Sequence, residues 1–290
     1  MSSVLITGTS SGIGLETALA FARAGHHVFA TMRNPAAAPD LQSIARADGL
    51  PIDIRRLDVD SDDSVQACFA GIPGPLDVLI NNAGCGPYGS VEDTPLDVFR
   101  ATMETNYFGS VRCIKAVLPR MRAARSGCVI NVSSVAGRIS NTPLGPYAAS
   151  KFALEAISEA LAGEVKPFNI RVAIVQPGIQ DTRLARGVEG GGGSLSPQVR
   201  RFAGLFRAAL SHPVPPSVTA GVILGIVDSG TWQLRHTAGP DAAPLMAWRA
   251  SMSDEQWVDF NALDDEAWYD RVRSDLGVDA RGGAQPLVDL

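Results

Sequence analysis

The chain predicts a single α/β domain in which a parallel sheet of about seven strands is doubly wound, with helices on both faces. Three observations predict it. Short β-branched runs alternate with helical stretches along most of the chain. The runs are apolar almost throughout instead of alternating with polar residues, which suits strands covered on both faces. A glycine-rich turn, Thr7-Gly8-Thr9-Ser10-Ser11-Gly12-Ile13-Gly14, joins the first run to the first helical stretch. At 290 residues the chain is long enough for one large domain of this class.

The expected strands fall at residues 4–7, 28–31, 54–57, 78–81, 129–133 and 172–176, with a seventh around 233–237. Helical patterns fill the gaps at 13–24, 41–47, 62–70, 96–122 and 147–165. Such alternation forces crossover connections and hence parallel pairing. After Thr182 the character changes. Gly190 to Gly193 are four successive glycines, which a fixed element rarely tolerates, and Ser196-Pro197 opens a helix ending near Leu210. A mobile lid over a cleft and a surface insertion both fit that stretch. The tail from Asp241 carries Trp248, Trp257 and Trp268 among acidic residues, and one or two helices packed on the body or on a partner subunit are expected.

Composition narrows the function classes. With 46% apolar and 19% charged residues the chain reads as soluble and globular. A net charge of −5 argues against nucleic acid or an anionic membrane as partner. No stretch approaches the ~20 apolar residues of a membrane span. The first strand starts so early that no signal peptide is expected, so the protein is read as cytoplasmic. Cys68, Cys85, Cys113 and Cys128 lack metal-site spacing and read as small buried side chains, Cys85 standing near a cleft with a redox role as its alternative. His26, His27, His212 and His236 form no ligand cluster, so no metal is expected.

The glycine turn gives the first chemistry. Gly8 permits a tight turn, while Gly12 and Gly14 let backbone and ligand approach. The helix-start amides at Ser10, Ser11, Gly12 and Ile13 can then face a pyrophosphate, aided by the helix dipole. The spacing is G-x-x-x-G-x-G, distinct from the general dinucleotide fingerprint. At the end of the second strand, where a carboxylate would select NAD, the chain has Ala30-Thr31-Met32-Arg33. A guanidinium there, with the Ser11 hydroxyl, suits a 2′-phosphate, so NADP(H) is preferred over NAD(H).

Tyr147 and Lys151 lie four residues apart and share a helix face, with Ser134 thirteen residues upstream of the tyrosine. An ammonium beside the phenol is expected to lower its pKa from the usual ~10. Pro146 suits the helix opening and puts Tyr147 in the first turn.

Taken together, Thr7–Gly14, Asn81-Asn82-Ala83-Gly84, Asn106, Ser134, Tyr147-x-x-x-Lys151 and Pro177-Gly178 through Thr182 resemble the short-chain dehydrogenases/reductases, and they occur in that family's order. The likeness covers residues 3 to 182, more loosely to Asp241. Gly12 to Leu15, Ala30–Arg33 and the stretch from Tyr147 to Glu155 look most like the hydroxysteroid and retinol dehydrogenase branch. The resemblance implies a Rossmann-type domain: residues 1–182 as cofactor-binding and catalytic core, 183–212 as substrate lid and 241–290 as a helical extension. It implies an alcohol/ketone oxidoreductase in which Tyr147 is general acid or base. Lys151 lowers its pKa and binds the nicotinamide ribose, Ser134 stabilises the substrate oxygen, and Asn106 holds a relay water. Asn82, Ala83 and Gly84 would line the nucleotide cleft, and Pro177, Gly178 and Thr182 would meet the nicotinamide end. Asp58 would accept from the adenine amino group with Val59 against the ring; a loop carboxylate before the next helix is the other reading of Asp58. Relatives form dimers on the helices at 96–122 and 147–165, so a homodimer or homotetramer is implied.

Cys85–Tyr88, 135–144 and 180–210 would surround the substrate, and Ile139, Pro143, Leu144, Leu184, Leu205 and Phe206 make that pocket largely apolar. Gln180 and Asp181 depart from this apolar character; they either meet a polar substrate group or, for Asp181, cap the next segment. The expected substrate is a partly apolar ketone, aldehyde or alcohol. A non-catalytic NADP(H)-binding sensor or scaffold is the rival, disfavoured because Ser134, Tyr147 and Lys151 are all kept.

Overall fold

A computed structural model describes residues 1–189 and 196–281. Seven parallel strands form one sheet in the order β3-β2-β1-β4-β5-β6-β7. They are β1 Ser3–Thr7, β2 His27–Met32, β3 Ile52–Arg56, β4 Val78–Asn81, β5 Gly127–Val132, β6 Ile170–Pro177 and β7 Arg235–Ala238. The helices over the sheet are α1 Gly12–Arg23, α2 Pro39–Ala47, α3 Asp62–Ala70, α4 Leu96–Met103, α5 Gly109–Ala124 and α6 Gly145–Val165. Then come α7 Arg183–Glu189, α8 Pro197–Leu210, α9 Ser217–Ser229, α10 Ala242–Ala250, α11 Asp254–Ala262 and α12 Asp265–Leu276. Because β1 lies between β2 and β4, the winding reverses there, and the carboxyl ends of those strands border a crevice.

The near-continuous apolar strands have a direct cause. Val4 and Ile6 join one core with Phe21 of α1 and Ile223 and Ile226 of α9, while Leu5 between them joins another with Cys113, Val117 and Met121 of α5. Successive side chains point to opposite faces, so both must be apolar. Burial pushes the Cys113 and Cys128 thiols up to about 12 and about 11, in keeping with a packing role.

Four elements differ from expectation, one of them α7, which no helical pattern foresaw. The helix foreseen over 96–122 is interrupted by a π-helical turn, Glu104–Phe108, between α4 and α5. Helix α9 has no counterpart in the sequence reading: it is apolar on most sides, so no 3.6-residue stripe marks it. The tail forms three helices, not one or two, with Ser253 and Gln256 making a capping box at α11 and Asp264 capping α12. Trp257, Phe260 and Trp268 of this tail pack with Ile139, Leu205 and Leu245 into a further core over the substrate end of the sheet. The glycine run 190–193 lies outside the described residues. No helix among the described residues is long and apolar enough to cross a membrane.

Candidate active site

The β1–α1 turn is clamped from two sides. Gly8 and Thr9 donate their backbone N–H groups to the Thr31 carbonyl at 2.9 and 3.0 Å. The Asn82 side-chain amide donates to the Thr7 and Gly8 carbonyls at 2.9 and 3.0 Å, and Thr7 Oγ1 accepts from the backbones of Asn82 and Ala83. Gly8 has φ of 72°, and a Cβ there would stand 2.7 Å from Ala83 Cα. A Cβ on Gly14 would overlap the Gly8 carbonyl and the Asn82 amide. Asn82 and Ala83 therefore shape the turn from beneath.

The same turn leaves anion-binding capacity unspent. Ser11 occupies the N-cap of α1 but its side chain makes no capping bond, and the first turn holds no acidic residue. The α1 amides thus face the cleft with the positive end of the dipole and no competing carboxylate. Gly8, Ser10, Ser11, Gly12, Ile13 and Gly14 all line it. Arg33 lies exposed on its rim. Asp58 also lines it: one carboxylate oxygen accepts from the Asp60 backbone at 3.2 Å, while Ser61, not Asp58, caps α3. Val59 is buried beside it, close to Gly109. A dinucleotide with an anionic bridge fits this donor set.

Further along, the second group converges. Tyr147 is the third residue of α6 and half-buried. Lys151, 5% exposed, donates from Nζ to the Val132 carbonyl at 2.8 Å and lies 5.7 Å from the centroid of the tyrosine ring. Ser134, two residues past the end of β5, caps the following 3₁₀ turn by accepting from Ala136 at 3.1 Å. Asn106, placed by the π turn, accepts from the Cys85 backbone at 2.9 Å and donates to its carbonyl at 2.8 Å and to Ser150 Oγ at 2.9 Å. Ser150 in turn donates to the Tyr147 carbonyl at 2.7 Å. This chain ties the π turn to the first turn of α6, and Ser150 is a member the sequence reading missed. Gly84 makes room: a Cβ there would stand 3.2 Å from Asn106 Oδ1 and 3.8 Å from Lys151 Nζ.

Electrostatics correct one expectation. Burial pushes the Tyr147 phenol up to about 12, against the lowering effect of a hydrogen bond with Ser134, while burial brings Lys151 down to about 8. The expected lowering of the phenol by Lys151 is absent in this arrangement. The ammonium is spent on the Val132 carbonyl, and desolvation of the phenolate outweighs the Ser134 hydrogen bond. Asn106 needs a similar refinement. Both of its amide hydrogens are engaged by protein, so a relay water there would have to donate to an oxygen of Asn106.

The loop after β6 closes the cleft. Pro177, Gly178 and Thr182 line it, Thr182 also capping α7 by accepting from Ala185 at 3.2 Å. Asp241 anchors this loop from behind, accepting from the Ile179 backbone at 2.6 Å; as the first residue of the tail it gave no sign of this in the sequence. Asp181 pairs with Arg186 at 2.8 and 3.1 Å and does not line the cleft. Gln180 is buried and donates to Thr219 Oγ1 at 2.5 Å.

The cleft, about 740 Å³, runs on past Cys85, Ile139, Leu144, Leu184, Leu205 and Phe206. Pro143 is buried but does not line it. The tail contributes lining that the sequence reading did not place there, among it Leu245, Trp248, Phe260 and Trp268, while Arg201 fell within 180–210 without being singled out. No group of three or more potential metal ligands exists among the described residues.

A seven-stranded doubly wound sheet with this turn and cleft defines a nucleotide-binding α/β fold, and comparison with known proteins gives it a family. The short chain dehydrogenase family pattern matches residues 2–190, and the chain belongs to that family of oxidoreductases. It is 38% identical to bovine (Bos taurus) retinol dehydrogenase 8 over 270 residues, 85% of this chain and 84% of the relative. Against human (Homo sapiens) retinol dehydrogenase 8 identity is 44% over 179 residues, 60% of this chain and 58% of the relative. Rat (Rattus norvegicus) estradiol 17-beta-dehydrogenase 1 is 34% identical over 304 aligned positions, 99% of this chain and 86% of the relative. These relatives place the chain in the retinol and hydroxysteroid dehydrogenase-like branch. A solved short-chain dehydrogenase from Streptomyces avermitilis superposes with a TM-score of 0.76 at 33% identity, covering 90% of this chain and 97% of that one.

Proposed function

We propose that the protein is an NADP(H)-dependent oxidoreductase that interconverts a partly apolar ketone or aldehyde with its alcohol. The observation that carries this reading is the convergence of Ser134, Tyr147 and Lys151 in the cleft lined by the glycine turn, with Asn106 buried behind them and tied to Tyr147 through Ser150. When bound, the nicotinamide supplies or accepts the hydride. The chain's own residues handle position and protons. Tyr147, protonated at neutral pH, donates to a carbonyl oxygen as it gains charge, and the reverse transfer serves oxidation of the alcohol. The Ser134 hydroxyl steadies that oxygen. Lys151 orients the ribose and restores the proton to Tyr147, with Asn106 fixing the backbone through which a relay water reaches it.

The α1 amides take the pyrophosphate, Asp58 and Val59 hold the adenine, and Pro177, Gly178 and Thr182 hold the nicotinamide end. Arg33, with no acidic neighbour in Ala30–Asn34, reads the 2′-phosphate. A structural relative, the actinorhodin polyketide ketoreductase solved with NADPH, supports that choice at 28% identity and a TM-score of 0.72, covering 81% of this chain and 95% of that one. Helices α7 and α8 form the substrate lid. Leu96, Phe108 and Phe152 leave apolar surface exposed on the α4–α5 and α6 faces, which supports a homodimer or homotetramer. The test is a panel of apolar ketones and alcohols with each cofactor, followed by nicotinamide absorbance. Turnover with NADPH exceeding that with NADH is expected, and no turnover of any member contradicts the reading.

A further inference from the structure

Arg201 of α8 lines the substrate end of the cleft and is only 5% exposed. Its Nε donates to Asp265 Oδ1 at 2.5 Å, where α12 begins. Its terminal nitrogens form no hydrogen bond among the described residues. A guanidinium carries five N–H donors, and burying it with one used is costly unless a further acceptor arrives. Asp265 meets Arg201 through Nε alone, and its other oxygen accepts from Arg200 at 3.2 Å.

The surroundings say what sort of acceptor fits. Phe202, Leu205, Val272 and Trp268 line the cleft with Arg201, whose guanidinium carbon lies 6.0 Å from the centroid of a Trp268 ring. The carboxylates lining the cleft are Asp58 and Asp60, both beside the nucleotide end. Beyond Lys151 its ionisable lining is Arg183 and Arg201, both cationic. An apolar passage ending in an unsatisfied, planar cation matches a ligand with an apolar body and an oxyanion terminus.

Resting on the reading of the cleft as a carbonyl-reducing site, we propose that the substrate is an apolar oxo acid, or its hydroxy acid, whose remote carboxylate pairs with Arg201. The reacting carbonyl then lies at Tyr147 and Ser134, with the hydrocarbon segment between. Arg201 is a specificity determinant and takes no part in the proton or hydride transfer.

The experiment compares long-chain oxo acids with their methyl esters on the NADPH-loaded protein, with a reactive diketone as reference substrate. Binding of each to the same holoenzyme is followed through tryptophan fluorescence. In the unsubstituted protein the acid should bind and turn over at least about 10-fold better than the ester, since a charge-assisted hydrogen bond carries that much. Arg201→Met should raise KM for the acid about 10- to 100-fold and leave the ester within about threefold. Asp265→Asn, which loosens the α8–α12 tie but keeps the cation, should retain the acid preference. Equal handling of acid and ester by the unsubstituted protein would overturn the proposal. So would an equal loss for both in Arg201→Met, which marks a purely structural tie. Should the diketone fail to react, the carbonyl-reduction reading falls, while fluorescence binding of acid against ester still decides the role of Arg201.

Discussion

Tyr147 and Lys151 shift in opposite directions for one reason: burial disfavours the charged form of each, the phenolate of one and the ammonium of the other. At neutral pH both keep their protons. Because Lys151 titrates near about 8 and Tyr147 near about 12, kcat/KM for ketone reduction should hold steady from about pH 6 toward 8. It should then fall as Lys151 loses its charge, since a neutral amine neither replenishes the phenol nor orients the ribose as well. Initial rates across that range check it; a rate that climbs with pH would assign the lysine another part. Arg33→Ala should weaken NADPH by about 10- to 100-fold and NADH by no more than about threefold, measured by fluorescence titration. Equal weakening would remove Arg33 from the phosphate site. At this scale the pairing of Tyr147 with Lys151 was legible because residues four apart share a helix face. Their titration was not legible, since it depends on residues distant in sequence, such as Val132 and Cys85. Arg201 was hidden for a related reason. An arginine in an amphipathic helix reads as a solvated face until α12 packs over it.

Among the elements, the β1–α1 turn shows how close packing turns a loop into a binding site. Gly14→Ala should leave the sheet intact but displace the Gly8 carbonyl or the Asn82 amide, overpacking of a kind that costs about 1–3 kcal/mol. NADPH affinity should fall at least about 10-fold while far-ultraviolet dichroism stays unchanged; full affinity would show that the turn has slack. The π turn at Glu104–Phe108 carries Asn106 into the site and is the element that sequence reasoning handled least well. The apolar periodicity of 96–122 continues through it, so one helix was the natural expectation, although asparagine is a weak helix former at that point. The central strands were legible to within a few residues because both of their faces are buried. Helix α9 was invisible because it is apolar nearly all round, and periodicity marks only elements with a polar side.

Across the whole molecule, helix α6, which carries Tyr147 and Lys151, is bolted to the far edge of the sheet. Glu155 of α6, 4% exposed, accepts from Gln176 of β6 at 2.9 Å and pairs with Arg235 of β7 at 2.8 Å, while Arg235 also reaches Glu159. Arg235→Ala strands a buried carboxylate and should destabilise the protein by about 3 kcal/mol, read from urea unfolding. A change below about 1 kcal/mol would mean that Gln176 alone satisfies Glu155. The tail closes the substrate end through the Trp257–Phe260–Trp268 cluster, and Asp241 carries that closure to the nicotinamide loop. Its helices were partly legible from tryptophan content, but their placement over the cleft is a tertiary fact.

Tyr147 is the proposed proton donor within a working nucleotide site, and removing its hydroxyl alone separates that role from nucleotide binding. Tyr147→Phe should lower kcat for ketone reduction by at least about 10²-fold, the usual contribution of a positioned general acid, with the NADPH dissociation constant within about threefold of the unsubstituted protein. Turnover at an undiminished rate, with NADPH bound as before, would contradict it.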